Sequence, residues 1–120
     1  MRMRKADCSM WICLKRHNIT LNNPTIAALG KPPRLNIWYE DDYRLIFTPA
    51  NDDEIDAYEI PPYFWKRPNP ALVISQMSFL YALQYRLHFE ENSRYFFPGN
   101  QVITAELPAV VFNLVNGEKL

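Results

Sequence analysis

The sequence predicts an α+β fold: a small, mostly antiparallel, barrel-like sheet in the N-terminal part with one short helix, then one long buried helix over about residues 70–89, then a C-terminal β-hairpin. Three observations lead there. Short apolar runs with strand-like composition crowd the first fifty residues. Asn22-Asn23-Pro24 and Gly30 bracket a short segment with helical start and stop signals. From Pro70 to Phe89, apolar residues recur at helical spacing with only a narrow polar arc.

In chain order, Met10-Trp11-Ile12-Cys13-Leu14 reads as a strand, His17-Asn18 as a turn, and Ile19-Thr20-Leu21 as a second short strand. An Asn at 22 or 23 caps a helix over Thr25–Leu29, with Pro24 in its first turn. Gly30 ends it in the left-handed conformation, and Pro32-Pro33 forbid continuation. Leu35–Tyr39 and Arg44–Phe47 form a hairpin around the acidic turn Glu40-Asp41-Asp42-Tyr43. Residues 51–56 are acidic and read as a single helical turn. Tyr58 to Trp65, interrupted by Pro61-Pro62, reads as an extended connector with its aromatics packed down. In the helix expected from Pro70 to Phe89, Val73, Met77, Leu80 and Leu87 form one row, flanked by Ile74, Tyr81 and Tyr85. Arg94–Phe97 and Val110–Leu114 make the final hairpin, with Pro98-Gly99-Asn100 at its turn. No internal repeat is evident.

The 120 residues fit one domain. Within it, 1–50 is a β-rich basic part, 51–69 a connector, and 70–120 a helix plus hairpin. So apolar a helix needs cover on most sides, which points to a homodimer with Val73, Met77, Leu80, Tyr81 and Leu87 at the interface. No stretch is apolar enough to span a membrane: Ala71–Phe89 is broken by Ser75, Gln76, Ser78, Gln84, Arg86 and His88. No signal-like apolar run follows Met1-Arg2-Met3-Arg4-Lys5. Cys8 and Cys13 fall on opposite faces of one strand, so a bridge between them is awkward, and the expected compartment is a reducing cytoplasm.

Chemistry is sparse. The two histidines and two cysteines have no metal-ligand spacing, so neither a metal nor a cofactor is expected. No nucleophile, base and electrophile come together in sequence, so the chain is not expected to be an enzyme. The acidic runs lack the glycine and terminal glutamate of a calcium loop and read as solvated turns.

Charge is the informative property. The net charge is zero, yet residues 1–34 carry Arg2, Arg4, Lys5, Lys15, Arg16, Lys31 and Arg34 against Asp7 alone, a balance of +6. The remainder carries six basic and twelve acidic residues. This polarity points to a double-stranded DNA partner, with those seven basic residues on phosphates. A protein partner bound by the acidic and aromatic surface is the alternative; there the chain is a non-catalytic adaptor or inhibitor, possibly from a mobile element.

Residues 18–49 also carry a resemblance. Ile19-Thr20-Leu21, Ile26, Ala28-Leu29-Gly30, Leu35-Asn36-Ile37 and Arg44-Leu45-Ile46-Phe47 resemble the swapped-hairpin DNA-binding domain of AbrB-like transition regulators and MazE-type antitoxins. The Ile-Pro pair that usually opens that family's helix is Leu21-Asn22 here. The resemblance implies a strand, a short helix ending in Leu-Gly and a hairpin, two interlaced chains, and DNA contacts from basic residues on strands and loops. The function expected is therefore a small homodimeric DNA-binding regulator of AbrB-like type in the cytoplasm.

Overall fold

The computed structural model describes residues 7–41, 43–51, 53–68, 70–75, 79–103 and 107–120. Of the residues named above, Met1, Arg2, Met3, Arg4, Lys5, Asp42, Gln76, Met77 and Ser78 lie outside them.

The first half follows the local signals. Strand β1 (Ser9–Cys13) turns through residues 14–17 into β2 (Asn18–Leu21), pairing Cys13 with Asn18 and Met10 with Leu21. Asn22 caps α1 (Asn23–Ala28): its Oδ1 accepts from Thr25 N, and Pro24 occupies the first turn. The helix ends in a Schellman motif, with Lys31 N donating to Ile26 O and Gly30 N to Ala27 O. That closure needs the left-handed φ of +84° at Gly30. Strands β3 (Arg34–Glu40) and β4 (Arg44–Pro49) form the expected hairpin, with Ile37 opposite Phe47.

The second half differs from expectation. There is no long buried helix over 70–89, and the fold is mostly antiparallel sheet, 43% strand, curled into a half-barrel rather than an α+β pairing of sheet and helix. Leu72–Ile74 is strand β6, antiparallel to β2, and α2 spans only Phe79–Leu87. The reason is visible in the side chains. Leu72 and Ile74 point inward while Val73 is half exposed, so their alternation has a period of two, and an apolar strand joined to an apolar helix imitates one longer helix. α2 itself is amphipathic: Leu80 and Leu83 are fully buried, while Tyr81, Tyr85 and Arg86 face outward. Leu80 and Leu83 of α2 join the chain's own core.

Between the halves, the connector holds a short strand β5 (Tyr58–Glu59), paired with β3, and a 3-10 turn η1 (Pro62–Lys66). Residues 51 and 53–56 form turns, not a helix. The final hairpin also differs. β7 (Arg94–Ile103) runs straight through Pro98-Gly99, and β8 (Pro108–Asn113) pairs antiparallel with its second half. Pro98-Gly99 is where β7 changes partner, from β1 up to Pro98 to β8 from Gly99 on. A Cβ at Gly99 would stand 2.6 Å from the Phe112 ring, so the close crossing requires glycine. A 3-10 turn and β9 (Glu118–Lys119) follow, β9 lying on β7.

The sheet runs β5-β3-β4-β8-β7-β1-β2-β6. Its two edges approach each other: Tyr58 Oη on β5 donates to Val73 O on β6 at 3.5 Å, and the buried Phe64 of η1 lies beneath that seam. One contiguous core fills the interior, centred on Met10, Leu35, Phe47, Phe97 and Phe112.

The registers also reveal a repeat that the sequence hides. β2-α1-β3-β4 and β6-α2-β7-β8 are the same strand-helix-hairpin unit. Exchanging the two maps each of the pairings within and between them onto another. β2 with β6 and β4 with β8 map onto themselves, and β3–β4 maps onto β7–β8. The exchange passes through Thr20 opposite Val73 and through Ile46 opposite Val111. On either side of the first centre the buried pairs are Ile19–Ile74 and Leu21–Leu72; around the second they are Leu45–Phe112 and Phe47–Val110. Even the entering strands correspond, since β1 lies on β7 as β5 lies on β3. One chain therefore contains an internal two-fold. The match is incomplete at the seam, where β1 joins β2 but β5 does not join β6.

Candidate nucleic-acid interface

The basic residues of the N-terminal third have different fates. Lys15 and Arg16 occupy the β1–β2 turn. That turn is held down by Leu14, 2% exposed, whose N–H donates to Ser93 O at 2.9 Å. At the other end His17 adopts a φ of +51° and stacks on Tyr81, ring centroids 3.9 Å apart. A buried anchor before and a stacked ring after leave Lys15 and Arg16 exposed between them. Lys31 follows Gly30 out of α1 with a left-handed φ of +51° and is exposed.

Arg34 behaves otherwise. Its Nη1 donates to Asn51 O at 2.8 Å and its Nη2 to Glu54 O, so its guanidinium fastens the acidic β4–β5 connection onto β3. Among the described residues Lys15, Arg16 and Lys31 make no ion pair. Arg44 is ion-paired with Glu40 and Asp41, and Lys119 with Glu90.

The residues expected at a dimer interface are scattered through the chain's own structure. Val73 lies half exposed on β6, Leu80 is fully buried, Tyr81 stacks on His17, and Leu87 packs partly against the core. Of the four that are described, Val73 and Tyr81 are exposed, Leu87 is half-buried and Leu80 is buried.

Two surface grooves accompany these features. One, of about 790 Å³, lies between the β1–β2 turn and α2 and is lined by His17, Tyr81, Tyr85, His88, Glu90 and Glu91 among others. The other, of about 560 Å³, is lined by Trp38, Ile55 and the carboxylates of Asp53, Glu54 and Asp56. Trp38 is 53% and Ile55 92% exposed, so this groove has apolar anchors inside an acidic rim.

Nothing in either groove assembles a nucleophile with a base. Cys13 is half-buried on β1 and Cys8 is buried just before it; both are free thiols. Burial pushes the Cys8 thiol up, against the pull of a hydrogen bond with Thr25, which disfavours the thiolate a nucleophile needs. Among the described residues no three His, Cys, Asp or Glu side chains cluster as metal ligands. No helix among the described residues is long and apolar enough to cross a membrane.

Two functional features escape sequence reading. The tethering role of Arg34 depends on a partner loop seventeen and twenty residues further along the chain. The second is the basic pair Lys66-Arg67, exposed at the end of η1, which carries a signal only once the internal two-fold is known.

Compared with known proteins, the chain matches no family model, no curated protein and no solved structure. The fold is a mostly antiparallel half-barrel with two strand-helix-hairpin units.

Proposed function

We propose that this chain is a small, non-catalytic DNA-binding regulator that contacts duplex phosphates through Lys15, Arg16 and Lys31. The observation that carries the reading is the distribution of ion pairs. These three cations are exposed and make no ion pair among the described residues, whereas Arg44 and Lys119 are each held by carboxylates. A cation without a carboxylate partner keeps its full attraction for a phosphate and releases condensed counterion on contact. Arg34, tied to the acidic connection, is left out of the phosphate set. The likeness to swapped-hairpin domains adds support, because strands of one unit pair with strands of the other at β2–β6 and β4–β8. Here a single chain supplies both units, so the reading needs no second subunit to interlace. The inferred place of action is the cytoplasm, where the free Cys8 and Cys13 would remain reduced.

The test is an electrophoretic mobility shift on mixed-sequence duplexes at about 50 mM salt, where non-specific binding is strong. The wild-type chain is expected to shift every duplex. Lys15→Ala with Arg16→Ala is expected to weaken all of them alike, since phosphate contacts carry no sequence information. Undiminished binding by that variant would remove these residues from the interface.

The second reading, a protein-binding module, is favoured by one observation: the groove of Trp38 and Ile55 beneath Asp53, Glu54 and Asp56. An exposed tryptophan in a groove is the kind of anchor that dominates protein interfaces. If no duplex binds, this groove becomes the leading site.

A further inference from the structure

The internal two-fold gives the β1–β2 turn a counterpart. β1 lies on β7 as β5 lies on β3, and β2 corresponds to β6, so the connection from β5 to β6 is equivalent to the connection from β1 to β2. Each connection carries a buried apolar anchor: Leu14, 2% exposed, opens the first, and Phe64, 3% exposed, lies within η1 in the second. Each anchor is followed by an exposed basic pair, Lys15-Arg16 directly and Lys66-Arg67 after Trp65. The second connection is longer, yet it keeps the same order of buried anchor and exposed cations. Its Arg67 N–H donates to Phe64 O at 3.3 Å, so the pair stays close to its anchor. None of these four cations forms an ion pair among the described residues.

β2 and β6 run antiparallel, so the connections that precede them leave opposite ends of that strand pair. The centre of the exchange on this strand pair is Thr20 opposite Val73, and neither is charged. An exchange of this kind relates one basic pair to the other across an uncharged centre. A duplex presents the complementary order, with two phosphate strands flanking a groove.

We infer that Lys66 and Arg67 are a second phosphate-contact site equivalent to Lys15 and Arg16, and that one chain holds a single duplex on both sides of its internal two-fold. The inference rests on the DNA-binding reading above. Symmetric DNA binders ordinarily obtain two like contact sets by pairing two subunits, so that protein symmetry mirrors that of the site. Here both sets belong to one polypeptide, and because Lys66-Arg67 sits on a longer arm than Lys15-Arg16, the two halves are not identical.

The experiment is a fluorescence-anisotropy titration of a labelled mixed-sequence duplex of about 20 base pairs, two helical turns. Wild type, Lys15→Ala with Arg16→Ala, and Lys66→Ala with Arg67→Ala are compared between about 50 and 200 mM salt. Light scattering gives the mass of the complex. Each double variant is expected to flatten the dependence of log affinity on log salt by about two units and to weaken binding to a similar degree. The mass is expected to correspond to one chain per duplex. Wild-type affinity and slope in the Lys66/Arg67 variant, with a loss in the Lys15/Arg16 variant, would overturn the inference and leave the reading intact. A complex holding two chains, with only Lys15 and Arg16 contributing, would overturn it equally. Absence of binding by the wild type at about 50 mM salt would sink both. Lys66→Gln with Arg67→Gln keeps the aliphatic length and repeats the measurement if the alanine pair melts early.

Discussion

Asn22 and Thr25 illustrate how single side chains fix this fold. Asn22 Oδ1 caps α1 through Thr25 N, accepts from Ser9 N at 3.1 Å, and lies 2.6 Å from the Thr25 hydroxyl. Its Nδ2 donates to Asp7 O at 3.1 Å, while the fully buried Thr25 hydroxyl accepts from Ser9 N at 3.0 Å. The cap therefore also pins α1 to the start of β1. An ordinary cap is worth about 0.5–2 kcal/mol, and a buried donor left with a poorer partner costs about 1–3 kcal/mol more. Asn22→Ala is expected to lower unfolding stability by about 2–3 kcal/mol in a urea titration, toward the high end of these ranges because one oxygen serves three neighbours. A loss below about 0.5 kcal/mol would show that solvent or Thr25 replaces it. Asn22 was legible as a candidate cap from the Asn-Asn-Pro sequence; its bond to Ser9, thirteen residues earlier, was not, because nothing local specifies a partner at that distance.

At the scale of elements, the first strand-helix-hairpin unit could be read and the second could not. In the first, each element is bounded by its own punctuation: the Asn22 cap, Gly30, Pro32-Pro33 and the acidic turn at Glu40. In the second, the three-residue strand β6 is too short to show alternation, and no Gly or Pro stands between Ile74 and Phe79 to separate it from α2. Pro98-Gly99 reads as a turn by local chemistry, yet β7 uses it to pass between neighbours while Gly99 makes room for Phe112. The repeat stays hidden because α2 and the second hairpin are longer than their counterparts, so equivalent residues keep no fixed spacing. The shortened α2 changes what a core substitution tests. Leu80→Asp places an unpaired charge inside the chain's own core rather than between subunits. It is expected to destabilise by at least about 3 kcal/mol. Leu80→Met, which conserves volume, is expected to cost less than about 1.5 kcal/mol. Thermal melting decides, and an unchanged transition for the aspartate variant would contradict the placement of α2.

For the molecule as a whole, the charge asymmetry of the sequence survives folding in an altered form. The basic third loses Arg34 to the acidic connection and gains Lys66-Arg67 through the internal two-fold. That exchange explains why sequence alone placed only part of the candidate site: Lys66 and Arg67 sit in the acidic two-thirds of the chain and become relevant only by their position in the sheet. With Lys66 and Arg67 added to Lys15, Arg16 and Lys31, one chain makes five phosphate contacts. The most direct test of that set is the salt dependence of wild-type binding to duplex DNA. Five contacts at about 0.9 each predict that log affinity falls against log salt with a slope of about −4.5; a slope near zero, or no binding at about 50 mM salt, would contradict it.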